Sequence, residues 1–109
     1  MSLLIQYWGK LFFSKSLMKS TIYLESIDPK RNRHRWYRID AKLTLFGGVV
    51  RREWGRIGQK GRWVQHDVES YQEAIFQINR IVRTRKKHGY KVLRSSVSLL
   101  KSKTETPLE

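Results

Sequence analysis

The chain has 109 residues, with 23 Lys and Arg against nine Asp and Glu, so it has room for one domain and carries a net charge of +14 that calls for a polyanionic partner or a highly solvated surface. It holds no cysteine, which excludes disulfides, thiol nucleophiles and zinc-finger ligand sets, and no apolar run approaches the roughly 20 residues of a membrane span. Apolar content is only 39%, but four Trp, five Tyr and four Phe each bury a large area, so a compact core is expected.

Residues 1–20 carry apolar patches at Leu3-Leu4-Ile5 and Leu11-Phe12-Phe13, without the charge and cleavage layout of a signal peptide. They read as an N-terminal arm: a short packed helix, a docking arm or a poorly ordered leader. In 21–27 Ile22 and Leu24 alternate with Tyr23 and Glu25, a strand, and Asp28-Pro29-Lys30-Arg31-Asn32 reads as a turn. The clearest strand is 33–46. There Tyr37, Ile39, Ala41, Leu43 and Leu45 fall on one face, and Arg38, Asp40, Lys42 and Thr44 on the other. Gly47-Gly48 signals a two-residue hairpin turn. The next strand, 49–57, places Arg52, Trp54 and Arg56 on one face and Val49, Arg51, Glu53 and Ile57 on the other. A second turn at 58–61 leads to a short strand at 62–67.

At Ser70 the period changes. Ser70 and Glu73 have the spacing of a capping box, and Tyr71, Ala74, Ile75, Ile78 and Val82 form a helical apolar stripe. The helix should end near Lys87 and stop at Gly89, with Arg85, Lys86 and Lys87 suited to its negative end. A brief closing strand is expected at 90–92, then a flexible tail over 94–109. The pattern predicts an α+β fold: an antiparallel meander of four or more strands with one main helix packed on one side, the folded domain spanning 21–93.

Three basic groups stand out: Lys30, Arg31, Arg33, Arg35 and Arg38; Arg51, Arg52, Arg56, Lys60 and Arg62; and Arg80, Arg83, Arg85, Lys86, Lys87 and Lys91. Three such groups in one small domain point to phosphate contact. Trp54 between Arg52 and Arg56 suits a sugar or base flanked by phosphates, and it equally suits a place in the core. Phe76, opposite the apolar stripe, reads either as a stacking platform or as the edge of the core. Trp36 and Trp63 read as packing residues. His34, His66 and His88 lack metal-ligand spacing, and Asp40, Glu53 and Asp67 read as ion-pair partners of nearby arginines, so neither catalysis nor a metal or other cofactor is expected.

The order Trp54-Gly55-Arg56-Ile57-Gly58, Gly61-Arg62-Trp63, Glu73-Ala74 and Lys86-Lys87-His88-Gly89-Tyr90 resembles the WGR domain, over roughly 21–92. The resemblance implies an antiparallel sheet with a helix on one side. It also implies DNA binding near strand breaks, as in poly(ADP-ribose) polymerases, with Trp54 stacking on a terminal sugar or base and Arg56 contacting the nucleic acid or a neighbouring domain. No transferase domain fits within this length, so binding carries over and catalysis does not; similar small WGR proteins occur in bacteria.

The expected function is therefore a non-enzymatic nucleic-acid-binding module. DNA is favoured, with ends, nicks or unpaired nucleotides preferred. The contact set is Arg52, Trp54, Gly55, Arg56, Lys60, Arg62, Arg80, Arg83 and Lys87. A protein-interaction module docking an acidic partner is the alternative. No membrane contact is expected, and the cytoplasm, or the nucleoid of a bacterium, is the expected location.

Overall fold

The computed structural model describes residues 17–44 and 46–100. The elements run β1 (Leu17–Asp28), a 3-10 turn (Pro29–Arg31), β2 (Arg33–Thr44), β3 (Gly47–Arg56), β4 (Arg62–Val68), α1 (Tyr71–Lys87) and β5 (Lys91–Leu100). The strands form one antiparallel sheet in the order β4-β3-β2-β1-β5. The first four make a meander. The chain then crosses one face as α1 and returns along the free side of β1, giving the expected α+β fold. Residues 1–16 of the expected arm, residues 101–109 of the expected tail, and Leu45 lie outside the described residues.

Alternation determines which face the helix covers. Leu24, Tyr37, Ile39, Ala41, Leu43 and Val50 are buried on one side of the sheet, where Ala74 and Ile78 of α1 pack onto them, with Ile81 and Val82 half-buried alongside. Tyr71, expected in the apolar stripe, is 48% exposed, because α1 starts where the chain leaves edge strand β4. Ser70 caps the helix as its spacing predicts, its Oγ accepting from the Glu73 N–H at 3.0 Å. Glu73 reaches back one residue further than a capping box requires and accepts from the Glu69 N–H at 2.8 Å. At the other end Gly89 adopts φ +91°, and the Gly89 and Tyr90 N–H groups return to the Lys86 and Arg85 carbonyls. That is a Schellman closure. Arg33 then donates to the His88 carbonyl at 3.0 Å. The helix thus crosses the sheet obliquely, from the outer end of β4 to the start of β2.

The first hairpin differs from its sequence signal. It closes between Thr44 and Gly47, so both glycines belong to β3 and not to the turn. Close approach is the reason: a Cβ on Gly47 would lie 2.4 Å from the Val68 carbonyl oxygen, and one on Gly48 2.1 Å from that of Lys42. The outer strands are also longer than their signals. β1 begins at Leu17, and β5 continues to Leu100 through a stretch expected to be tail. Ser-rich sequence has little strand propensity of its own, but the bare edge of β1 offers it a backbone ladder. Among the described residues no helix is long and apolar enough to cross a membrane.

Candidate nucleic-acid interface

The central strip turns its tryptophan toward the helix side. Trp54 pairs with Tyr37 across the sheet and stacks on it, the ring centroids 5.8 Å apart and the planes 15° from parallel. Trp54 is half-buried, packed against the core on one side. Arg52 and Arg56 share its face as alternation requires, but they do not sandwich it. Arg52 donates to the Tyr37 hydroxyl and lies 3.3 Å from His66 Nε2. Arg56 reaches back to Asn32, donating to its carbonyl and to its side-chain oxygen at 3.3 and 3.0 Å.

Because α1 leaves the sheet toward the start of β2, the corner formed by the end of β3 and the start of β4 stays open. A hollow of about 300 Å³ lies there, lined by Arg35, Trp54, Gly55, Lys60, Gly61 and Arg62. Four of the expected contact residues, Trp54, Gly55, Lys60 and Arg62, meet at this hollow, with Arg52 and Arg56 on its flanks. Its floor depends on two glycines. A Cβ on Gly61 would stand 2.2 Å from the Trp54 carbonyl oxygen and 2.7 Å from the Trp36 ring, and one on Gly55 would stand 2.9 Å from Gly61 Cα. Trp36 holds this corner from the opposite face, its indole N–H donating to the Arg56 carbonyl at 3.0 Å. It is a packing residue, as expected.

Arg35 lines the hollow, although the expected contact set leaves it out. Cross-strand pairing to Arg56 puts it on the Trp54 face, and the register that shows this is not readable from β2 alone. Arg33, two residues earlier on the same strand, lies 5.8 Å from the Tyr90 ring centroid. Arg85 sits over Tyr37 at 5.0 Å and over Tyr90 at 5.7 Å. Arg33, Arg52, Arg56 and Arg85 are thus held by rings, carbonyls, an amide, a hydroxyl and an imidazole. None has an ion-pair partner among the described residues, and the same holds for Arg35, Lys60 and Arg62, so their charge is not cancelled there.

Arg80, Arg83 and Lys87 do not join this corner. All three are exposed: Arg80 and Arg83 lie on the face of α1 turned away from the sheet, where Phe76, 62% exposed, has the Arg80 guanidinium 5.9 Å from its ring, while Lys87, the last residue of α1, borders a separate hollow at the helix end. Phe76 is therefore a surface residue, not the edge of the core.

The opposite sheet face has a different charge character. Glu25, Asp40, Glu53 and Asp67 all fall there by register. Arg38 pairs with Glu53 at 2.6 Å and with Asp40 at 3.1 Å, and Arg51 lies 3.7 Å from Glu53. Thr21 donates to Asp40 at 2.8 Å. Tyr23 donates to Glu25 at 2.8 Å, and burial, followed by that bond, raises its pKa above the usual phenol value. Trp63, expected to pack in the core, is 56% exposed on this face with Arg51 4.3 Å from its ring centroid. It lies on edge strand β4, where no further strand covers it. This face is largely neutralised within itself, while the helix side is not.

A profile of the WGR domain matches residues 20–97. The chain belongs to the WGR family. It is also similar to the uncharacterized protein y4dW of Sinorhizobium fredii, 35% identical over 71 residues. That match covers 64% of this chain and 35% of y4dW, so the matched stretch spans about a third of the relative's length. The Trp-Gly-Arg triplet of the family is Trp54-Gly55-Arg56, the wall of the open corner.

Proposed function

We propose that this WGR domain is a binding module for nucleic acid, DNA above all, that favours ends, nicks or unpaired nucleotides and catalyses no reaction. The observation that carries the reading is the separation of charge between the two faces. Four of the five strand carboxylates, Glu25, Asp40, Glu53 and Asp67, lie on one side of the sheet, and the cations around Trp54 lie on the other without acidic partners among the described residues, Asp28 at the end of β1 being paired with Arg31. Phosphates neutralise such a rim, and most of the affinity comes from that sequence-independent term. The family's association with nucleic acid in poly(ADP-ribose) polymerases supports the same partner.

Trp54 supplies the preference for an end. One ring face is taken by Tyr37, and the rest of the side chain borders a hollow large enough for one sugar or base. Internal base pairs of a duplex present no free ring face to such a site, whereas a terminal or unpaired nucleotide does. Lys60, Arg62, Arg35 and Arg56 then meet the flanking phosphates, and Arg80 and Arg83 on the back of the helix and Lys87 at its end add long-range attraction. Binding to blunt, nicked and closed circular DNA at two salt concentrations tests this. The expected order is nicked and blunt above closed circular, with affinity falling steeply as salt rises. Equal, salt-insensitive affinity for all three contradicts it.

A further inference from the structure

A second hollow, of about 590 Å³, lies beneath the end of α1, where Ser26 and Arg33 meet Asp28, Arg31, Lys87 and His88. Ser26 is a buried polar residue, 3% exposed, in the midst of the β1 ladder. Its hydroxyl has no hydrogen-bond partner among the described residues and faces the helix end, its Oγ 3.4 Å from where a Cβ on Gly89 would stand. The hydroxyl oxygen is not itself sealed from solvent, so a ligand or water that enters the hollow can reach it and complete its hydrogen bonding. Three cations border the hollow. Its one carboxylate, Asp28, is engaged with Arg31 at 3.6 Å. The negative end of α1 is muted there, because Arg33 takes the His88 carbonyl and the Gly89 turn takes those of Lys86 and Arg85.

The two hollows are neighbours. Ser26 pairs with Arg35, and Arg35 lines the hollow at Trp54. Arg33 and Arg35 are alternate residues of β2, so their Cα atoms are about 7 Å apart on the same face. They form a cationic step from one hollow to the other. We propose that the Ser26 hollow is a phosphate subsite, and that it takes a backbone phosphate of the same strand whose end nucleotide sits at Trp54. Ser26 donates its hydroxyl to the phosphate oxygen, Arg31 and Lys87 neutralise it, and Arg33 and Arg35 carry the strand between the two points. The occupant rests on the function proposed above; the subsite chemistry rests on the hollow itself.

The test compares a dinucleotide without terminal phosphates, which carries a single backbone phosphate, with a hexanucleotide, both single-stranded and labelled for anisotropy. In an Arg31→Gln/Lys87→Gln variant, hexanucleotide affinity falls about tenfold or more at low salt. The slope of log K against log salt becomes shallower by roughly 0.7 for each phosphate that is no longer neutralised. Dinucleotide affinity stays within twofold. Ser26→Ala shows the same length-dependent weakening with an unchanged salt slope, and amide spectra of each variant establish that the fold is intact. Weakening that is equal for both lengths, or absent for both, overturns the subsite while Trp54→Ala still weakens binding. If Trp54→Ala changes neither length, the function proposed above fails instead. Inorganic phosphate at matched ionic strength is the last arm. Perturbation of the Ser26 amide by phosphate, together with weaker hexanucleotide binding in the variants, supports the subsite. Perturbation without that weakening means the hollow takes a free phosphate group, and the strand assignment is wrong.

Discussion

At the scale of single residues, Trp54 joins core and surface. Alternation places it beside Arg52 and Arg56, but whether its face meets solvent or the helix is a tertiary fact that spacing cannot contain. The half-buried position implies two effects from one substitution. Trp54→Ala removes the stack on Tyr37 and should cost about 2 kcal/mol in urea unfolding, below the usual range for a fully buried aromatic. It should also weaken binding to DNA ends about tenfold more than binding to closed circular duplex, in line with the roughly 1–3 kcal/mol of base–aromatic stacking. A stability loss with no change in the end preference would make Trp54 a core residue alone. The glycines nearby separate packing from conformation. Gly61→Ala forces a Cβ to within 2.2 Å of the Trp54 carbonyl and 2.7 Å of Trp36, so it should destabilise by about 2 kcal/mol and distort the hollow. Gly58 has φ +88° but open space around it, so Gly58→Ala should cost only about 1 kcal/mol of backbone strain. Denaturation midpoints of the two variants, with end binding measured beside them, check that order.

At the scale of elements, those with strong local signals were legible and those made by pairing were not. The helix is readable because Ser70, the apolar spacing and Gly89 each act locally, and the structure returns Tyr71–Lys87. β2 is readable because one face is buried and the other wet over a long run. The length of β5 is not readable, because Arg94-Ser95-Ser96 has no strand signature and is ordered by the ladder of β1. The Gly47-Gly48 turn misleads because glycine marks close backbone approach as often as it marks a turn. The same limit hides Arg35: its place at the hollow depends on pairing with Arg56, not on its neighbours in sequence. Local signals also have local energies. Ser70→Ala removes the cap bond to Glu73 and should cost about 1 kcal/mol, and Gly89→Ala should cost about as much through its φ of +91°. Ser70→Ala should leave the midpoint for DNA near that of the parent protein once the folded fraction is accounted for, since Ser70 lines neither hollow.

At the scale of the whole molecule, composition sets a net charge of +14 but not its layout. The fold sorts it. Two-residue alternation along antiparallel strands sends four of the five strand carboxylates to the face without a helix, where Arg38 and Arg51 meet Asp40 and Glu53, and leaves the helix side predominantly cationic, its one strand carboxylate, Asp28, lying 3.6 Å from Arg31. Under the proposed function, an exposed lysine on the neutralised face and an exposed arginine at the Trp54 corner should therefore contribute differently to binding, although the composition counts them alike. The most direct measurement of this is affinity for nicked DNA, at fixed low salt, of two charge-reversed variants: Lys19→Glu/Lys42→Glu on the open face and Arg35→Glu/Arg62→Glu at the corner. Both change net charge by the same amount, so any general electrostatic loss is shared. The corner variant should lose at least tenfold more affinity than the open-face variant. Equal losses, or a larger loss from Lys19→Glu/Lys42→Glu, would contradict the assignment of the interface to the Trp54 side of the sheet.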